Sequence, residues 1–375
     1  MSIRNGRRPA LAAAAAIGAL VVMTACGATQ SGSEAKKGQK QQAKSTGTIA
    51  LLLPENKTAR YEAADRPFFV KRMKQICPTC KIDYKNANQD ANLQQQQADA
   101  ALTNGDDVLV IDPVDSVAAA KIVNKAKAQN VPVLSYERLI LNSSPDFYIS
   151  FDNVKVGEKQ ATSLLGRLNQ LGTTKKGDIV MINGSPTDNN AKQFKQGAHS
   201  VLDGKVTIGK EYDTPDWSPD NAQKEMDQAL TALGQKKIVG VYAANDGTAG
   251  GAIAALKKAG VDLSKVPVTG QDAEVAGLQR IVAGEQYMTI YKPIKQEATD
   301  AANIAFSLLK NKKPQAQAMT DNGSKAKIPS TFLPVYAVTA KDIKPIVMKD
   351  GWISYQQLCS GQFAKGCKKN GITGP

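Results

Sequence analysis

The sequence predicts an α/β protein of two doubly wound parallel-sheet lobes, and three observations carry that expectation. Short apolar runs alternate with helix-length amphipathic segments; this rhythm occurs twice, over 48–151 and over 178–291; and residues suited to binding a polar small molecule recur where the strands end. The chain has 375 residues, room for two domains of ~100–200 residues each. Hydrophobic residues make up 42% and charged residues 22%, the balance of a globular protein.

The rhythm does not begin at the first residue. Arg4, Arg7 and Arg8 precede an alanine-rich apolar stretch from Ala10 to Val22, the length of a signal-peptide core and short of the ~20 residues a membrane span needs. Met23, Thr24 and Ala25 then lead into Cys26, resembling a lipoprotein signal in which Cys26 is acylated once 1–25 is removed. The uncommon Met23 leaves cleavage by an ordinary signal peptidase as the alternative. Losing three arginines and no acid lowers the net charge from +14 to +11. After Cys26, residues up to 47 are mostly Ser, Gly, Gln, Lys and Ala without apolar periodicity, so 26–47 reads as a lipidated cysteine and disordered tether. No basic run is interleaved with aromatics in the manner of a nucleic-acid surface, so the positive charge reads as a solvated lysine-rich face.

In the first lobe the expected strands are Thr48–Leu53, Lys81–Tyr84, Val108–Ile111, Val131–Ser135 and Tyr148–Phe151. Helical patterns between them cover Pro67–Ile76, Leu93–Thr103 and Val117–Gln129. The second lobe repeats the scheme with strands at Asp178–Asn183, Val206–Tyr212, Ile238–Ala243, Val266–Thr269 and Tyr287–Tyr291. Its helices are expected at Ala191–Leu202, Asn221–Leu233, Thr248–Ala259 and Val275–Ala283. A further amphipathic helix spans Gln296 to Lys310, and the remainder is less regular. Strand–helix–strand units of this length form parallel sheets, whose ligands bind beyond the carboxyl ends of the strands.

Four cysteines beyond Cys26 form two local pairs, Cys77 with Cys80 and Cys359 with Cys367. On an exported chain these read as short-loop disulfides. The first spacing also suits a redox dithiol or half a zinc site. Against both stand the different second spacing and a single histidine, His199, with no ligand motif around it. No metal or cofactor is expected.

Sugars require donors and acceptors in fixed directions and an aromatic face for the C–H side of the ring. Those types stand at the predicted strand ends: Arg60 and Tyr61, Glu137 and Arg138, Asp188 with Asn189 and Asn190, Trp217, Asn245 and Asp246, Asp272, and Lys292. Asp and Asn also cap helices, so each alone is an ambiguous signal. Trp217 is more pointed, because Thr214-Pro215-Asp216-Trp217-Ser218-Pro219 offers little apolar company for a core role.

Six stretches carry a specific resemblance: SYERLI at 135–140, FYISFDNVKVGE at 147–158, GSPTDNNAK at 184–192, AANDGTAGGAI at 243–253, TGQDAE at 269–274 and TIYKPI at 289–294. From about Thr48 to Gly351 the chain resembles the periplasmic xylose-binding proteins of ABC importers, within the type I periplasmic binding protein fold. The resemblance implies lobes joined by a three-strand hinge, with 48–151 plus 293–325 as the N-terminal lobe and 152–292 plus 326–375 as the C-terminal lobe and tail. It implies that Arg60 and Arg138 donate to sugar hydroxyls, that Asp188, Asn190, Asn245 and Asp272 bind others, and that Lys292 supplies a cation near the hinge. Tyr61 and Trp217 would sandwich the ring, Asp152 and Asn153 would serve the hinge or cap a helix, and Asp246 would cap the helix after Asn245. Two residues depart from the pattern: Glu137 stands where the family usually has Asp, and Tyr61 where it usually has Trp.

The expected function is that of a monomeric, lipid-anchored receptor on the outer face of the cytoplasmic membrane. It would capture xylose or a related aldose and deliver it to an ABC permease. Two alternatives are a sensor subunit whose closed form engages a signalling receptor, and a glycosidase using Asp188 and Asp272. The second fits poorly, because Arg60, Arg138 and Lys292 would favour ionised acids where one must stay protonated. Sugar-responsive repressors share the two-lobe plan, but they carry a DNA-binding head where this chain has a signal and tether.

Overall fold

The computed structural model describes residues 44–374. The expected leader, Cys26 and most of the tether lie outside them. Lys44, the first described residue, ion-pairs with Asp107, and Thr46 Oγ1 donates to Thr79 O at 3.1 Å. The end of the expected tether, 44–47, therefore rests on the fold.

The first sheet is built from β1 (Thr48–Leu53), β2 (Lys81–Asn86), β3 (Val108–Ile111), β4 (Val133–Tyr136) and β5 (Phe147–Phe151). Their crossovers are α1 (Arg66–Ile76), α2 (Ala91–Asn104) and α3 (Ala120–Ala128). β1 from Ile49 onward and the whole of β3 are apolar and buried because helices cover both faces, as a parallel sheet requires. Side chains alternate between those faces. Ile49, Leu51, Val108 and Val110 pack with Phe69 and Met73 of α1, whereas Leu52, Leu109 and Ile111 pack with Ala98 of α2 and Ile122 of α3.

The chain then passes into α4 (Asn153–Leu171), capped by Asp152, whose side chain accepts from Lys155 N at 3.0 Å. The second lobe follows with β6 (Asp178–Asn183), α5 (Asn189–Leu202), β7 (Thr207–Asp213), α6 (Pro219–Leu233), β8 (Ile238–Ala243), α7 (Asp246–Lys258), α8 (Val275–Ala283) and β9 (Thr289–Tyr291). β7, β6 and β8 form a parallel sheet in that order. Helices α4 and α5 cross at two glycines: a Cβ on Gly157 would fall 2.0 Å from Phe194 O, and one on Gly197 2.0 Å from Val154 O. The strand expected at Val266–Thr269 is reduced to one parallel bridge between Val268 and Val241. Pro267 has no N–H to give a ladder, which confines the pairing to its neighbours.

After β9 the chain returns through α9 (Ile294–Leu309), whose alanines pack on the first sheet. β10 (Ala318–Thr320) pairs antiparallel with β11 (Ile328–Leu333), and β11 pairs parallel with β5, so the first sheet runs β10-β11-β5-β4-β3-β1-β2. β12 (Tyr336–Val338) then pairs with β9. The third crossing thus lies beyond Leu333 rather than after 325, because β11 finds its partner in β5.

The tail is more ordered than its sequence suggests. α10 (Tyr355–Cys359) and α11 (Ala364–Lys369) are stapled by the Cys359–Cys367 disulfide and share an apolar cluster with Leu278, Ile281 and Val282 of α8. Cys77 and Cys80 form the other disulfide. No helix among the described residues is long and apolar enough to cross a membrane.

Candidate functional site

Where the strand ends of the two lobes face each other they border a small, partly open cavity. Arg60 and Tyr61 come from the turn after β1, and Glu137 and Arg138 from the end of β4. Asp188 precedes α5, Trp217 follows β7, Asn245 follows β8, Asp272 follows the Val268 bridge, and Lys292 follows β9. All nine line the cavity.

Both arginines are aimed by buried carboxylates. Arg60 is held in a fork on Asp65, with Nε to Oδ2 at 2.9 Å and Nη2 to Oδ1 at 2.7 Å, and Nη2 also donates to Glu297 Oε2 at 2.6 Å. Its Nη1 remains directed at the cavity, 3.4 Å from Glu137 Oε1 and 3.8 Å from Asp272 Oδ1. Arg138 donates to Pro113 O at 3.2 Å and to the Tyr61 hydroxyl at 3.0 Å, and its Nε lies 3.0 Å from Asp188 Oδ2. Such planar forks fix a guanidinium more firmly than an ammonium can be fixed. Burial pushes Glu297 up to about 8, against the charge of Arg60 and with the Glu137 and Asp65 carboxylates adding to the rise.

Glu137 sits at the centre. Burial alone would raise its pKa, but Lys292, Arg60 and Arg138 hold it below the usual carboxylate value. Lys292 Nζ lies 3.3 Å from Glu137 Oε1 and 3.0 Å from Asp272 Oδ1, over the rings of Phe151 and Phe194. Burial acts to lower the Lys292 pKa, yet Asp272 and Glu137 raise it above the ordinary lysine value, so the pair is ionic. Burial moves Asp188 the other way, upward, against the charge of Arg138.

Three cavity residues hold backbones that L residues adopt reluctantly: Glu137 at φ 59°, Trp217 at 53° and Asp272 at 90°. Strain of this kind, ~1–3 kcal/mol each, persists where the surrounding structure over-determines a functional geometry. Trp217 is seated against Gly184, where any Cβ would strike the indole, and its Nε1 donates to Asp188 Oδ2 at 3.2 Å. It is also buried with Phe194 in the second-lobe core, so it combines the packing role its sequence context argued against with a cavity face. Gln271 Oε1 is buried without a hydrogen-bond donor among the described residues, and Asp272 Oδ1 has only its ion pairs with Lys292 and Arg60. An acceptor left in this way fits a polyhydroxylated ligand.

Two expected roles change. Asn190 does not line the cavity; its Nδ2 donates to Glu137 O at 3.1 Å and Oε2 at 3.2 Å and so positions that residue. The cap of α7 is Asn245, which accepts from Thr248 N at 2.8 Å and leaves only its Nδ2 for the cavity. Asp246 is instead wholly buried, accepting from Gln286 Nε2, Glu274 N and Thr289 Oγ1. Thr58, Phe194 and Gln271 join the lining unforeseen. Gln271 lay within TGQDAE, and Glu297 was legible only as an acid interrupting the alanine face of α9.

Two parallel α/β lobes, three chain crossings and a charged, aromatic-flanked cavity between strand ends define a type I solute-binding protein. The chain belongs to the family described as periplasmic binding protein domain, whose model matches residues 49–313. It is 39% identical over 315 residues to the D-xylose-binding periplasmic protein of Escherichia coli K12, covering 83% of this chain and 92% of that protein. It is 32% identical over 330 residues to the multiple sugar-binding periplasmic receptor ChvE of Rhizobium radiobacter, covering 83% and 92%. Among solved structures, an ABC transporter solute-binding protein from Clostridium phytofermentans with bound β-D-glucose superposes with a TM-score of 0.76 at 25% identity, covering 83% of this chain and 99% of that one. These relatives are binding proteins rather than enzymes, and so is this chain.

Proposed function

We propose that this chain is the extracytoplasmic sugar receptor of an ABC importer, capturing a monosaccharide, xylose foremost, by closure of its lobes. The observation that carries the reading is the cavity: Tyr61 from one lobe and Trp217 from the other, with Arg60, Arg138, Asp188, Asn245, Asp272 and Lys292 supplying donors and acceptors around them. Its small volume favours one sugar ring over an oligosaccharide. A ring seated there would separate Glu137 from Lys292 and Arg60 and take over their hydrogen bonds.

Closure is held by contacts that cross the cleft. Ser116 N donates to Thr187 O at 3.1 Å, Asn189 N to Ser116 Oγ at 3.1 Å, and Ala59 N to Glu274 Oε1 at 3.0 Å. Excluding water around a buried sugar strengthens each hydrogen bond to it. The closed spacing of the lobes is then the signal a permease reads. Anchoring through Cys26 and a monomeric state belong to the same proposal.

The D-xylose-binding relative supports the pentose reading. The glucose complex and the multiple sugar-binding relative favour a second one, a broader aldose receptor. Calorimetry with xylose, ribose, arabinose, glucose and galactose separates them. Micromolar or tighter binding of xylose alone supports the first, comparable binding of xylose and glucose the second, and binding of no monosaccharide refutes both.

A further inference from the structure

On the second lobe, away from the sugar cavity, the stapled tail and the end of α8 border an open cavity of about 710 Å³. Arg167, Lys341, Lys365 and Lys369 line it, and no carboxylate does. None of the four forms an ion pair among the described residues; Arg167 lies over the ring of Tyr287, 5.6 Å from its centroid. The nearby acids are committed elsewhere. Asp262 pairs with Lys265, Glu285 with Lys257, and Asp342 accepts from Thr339 N and Oγ1.

The arrangement is built rather than incidental. A Cβ on Gly366 would lie 2.4 Å from Val282 O, so α11 sits directly on the end of α8, and the Cys359–Cys367 disulfide fixes it there. Lys365 and Lys369, four residues apart, share one helix face. Four cations held around one concavity with no compensating acid focus a positive potential into it. The floor includes Ile281 and Tyr287, which gives an organic portion somewhere to rest.

We propose that this cavity is a second binding site, specific for a phosphate-bearing anion and separate from the sugar site. Phosphate oxygens suit it because Arg167 offers a planar fork and the three lysines offer mobile point charges. The anion is either a free phosphate compound or the headgroup of an anionic phospholipid.

The test uses the full chain, with inorganic pyrophosphate as the soluble probe and phosphatidylglycerol against phosphatidylcholine vesicles as the lipid probe. Lys365→Glu with Lys369→Glu replaces two of the four cations by acids and so cancels the net charge of the cavity lining, and Lys71→Glu with Lys74→Glu on α1 is the charge-matched control. Saturable pyrophosphate binding weakened about tenfold or more by the first pair only supports the site with a free anion as ligand. The same dependence for phosphatidylglycerol vesicles alone supports it with a headgroup. No saturable binding of either probe, or equal weakening by both pairs, overturns it. Melting temperatures establish that both variants fold, so the outcome stands whether or not the protein binds sugar.

Discussion

Arg138 Nε lies 3.0 Å from Asp188 Oδ2, and this buried ion pair joins a residue of the first lobe to one of the second across the cavity. Its side chains are 2% and 3% exposed, so neither charge has water to fall back on. Asp188→Asn removes the charge partner and is expected to weaken sugar binding by about 2 kcal/mol or more, read by calorimetry. Unchanged affinity would mean that the pair serves only the closed protein.

Trp217 has two roles that can be separated. Trp217→Ala is expected to cost about 3–5 kcal/mol of stability as well as sugar binding, because it opens the core beside Phe194. Trp217→Phe preserves more of the packing but loses the bond to Asp188, so affinity should fall further than melting temperature does. Trp217 and Trp352 are the chain's two tryptophans. A sugar-induced emission change should persist in Trp352→Phe and vanish in Trp217→Phe.

Glu137→Asp withdraws the carboxylate from Lys292 and Arg60 and enlarges the cavity. The ratio of glucose to xylose affinity should rise, read as two titrations of each protein. A ratio equal to that of the unaltered chain would remove Glu137 from the determinants of sugar choice.

The pH dependence has two limbs. Glu297 is pushed from 4.5 up to about 8 in the folded protein, so its stabilising protonated form is fully present below 4.5 and lost as pH rises through about 8. Asp246, raised from 3.8 to about 7 chiefly by burial, acts in the same direction. Glu137 acts oppositely: its folded pKa is depressed, so its contribution is present above 4.5 and lost as pH falls through the lower folded value. Melting temperature should therefore decline from pH 6 toward pH 9, and Glu297→Gln should flatten that decline. An equally steep decline in the variant would assign it to other groups.

Much of the fold was legible because buried parallel strands announce themselves. Thr48–Leu53, Val108–Ile111, Asp178–Asn183 and Ile238–Ala243 are apolar on both faces, or nearly so, and their bounds match those read from the sequence. Val266–Thr269 misled because its apolar run contains Pro267. For the site, proximity to a strand end located residues better than it assigned their roles. Asn245 and Asp246 are neighbours of similar chemistry, and only the three-dimensional course of α7 decides which one caps it. The carboxylates that aim Arg60 were not legible as partners, since Glu297 is 237 residues away and Asp65 looks like an ordinary helix-start acid.

The contact of Lys44 with Asp107 also fixes where the chain joins the fold. The chain enters at the amino ends of β1 and β3, whereas the sugar cavity lies at the carboxyl ends of the same strands. A leash attached there would grip the domain by its heel and leave its mouth pointing away. Were Cys26 the anchor, the 18 residues from it to Lys44 would span about 60 Å at full stretch. The receptor would then have to somersault on that line to offer its cleft to a permease in the same membrane, and shortening the line should slow delivery while leaving capture unchanged.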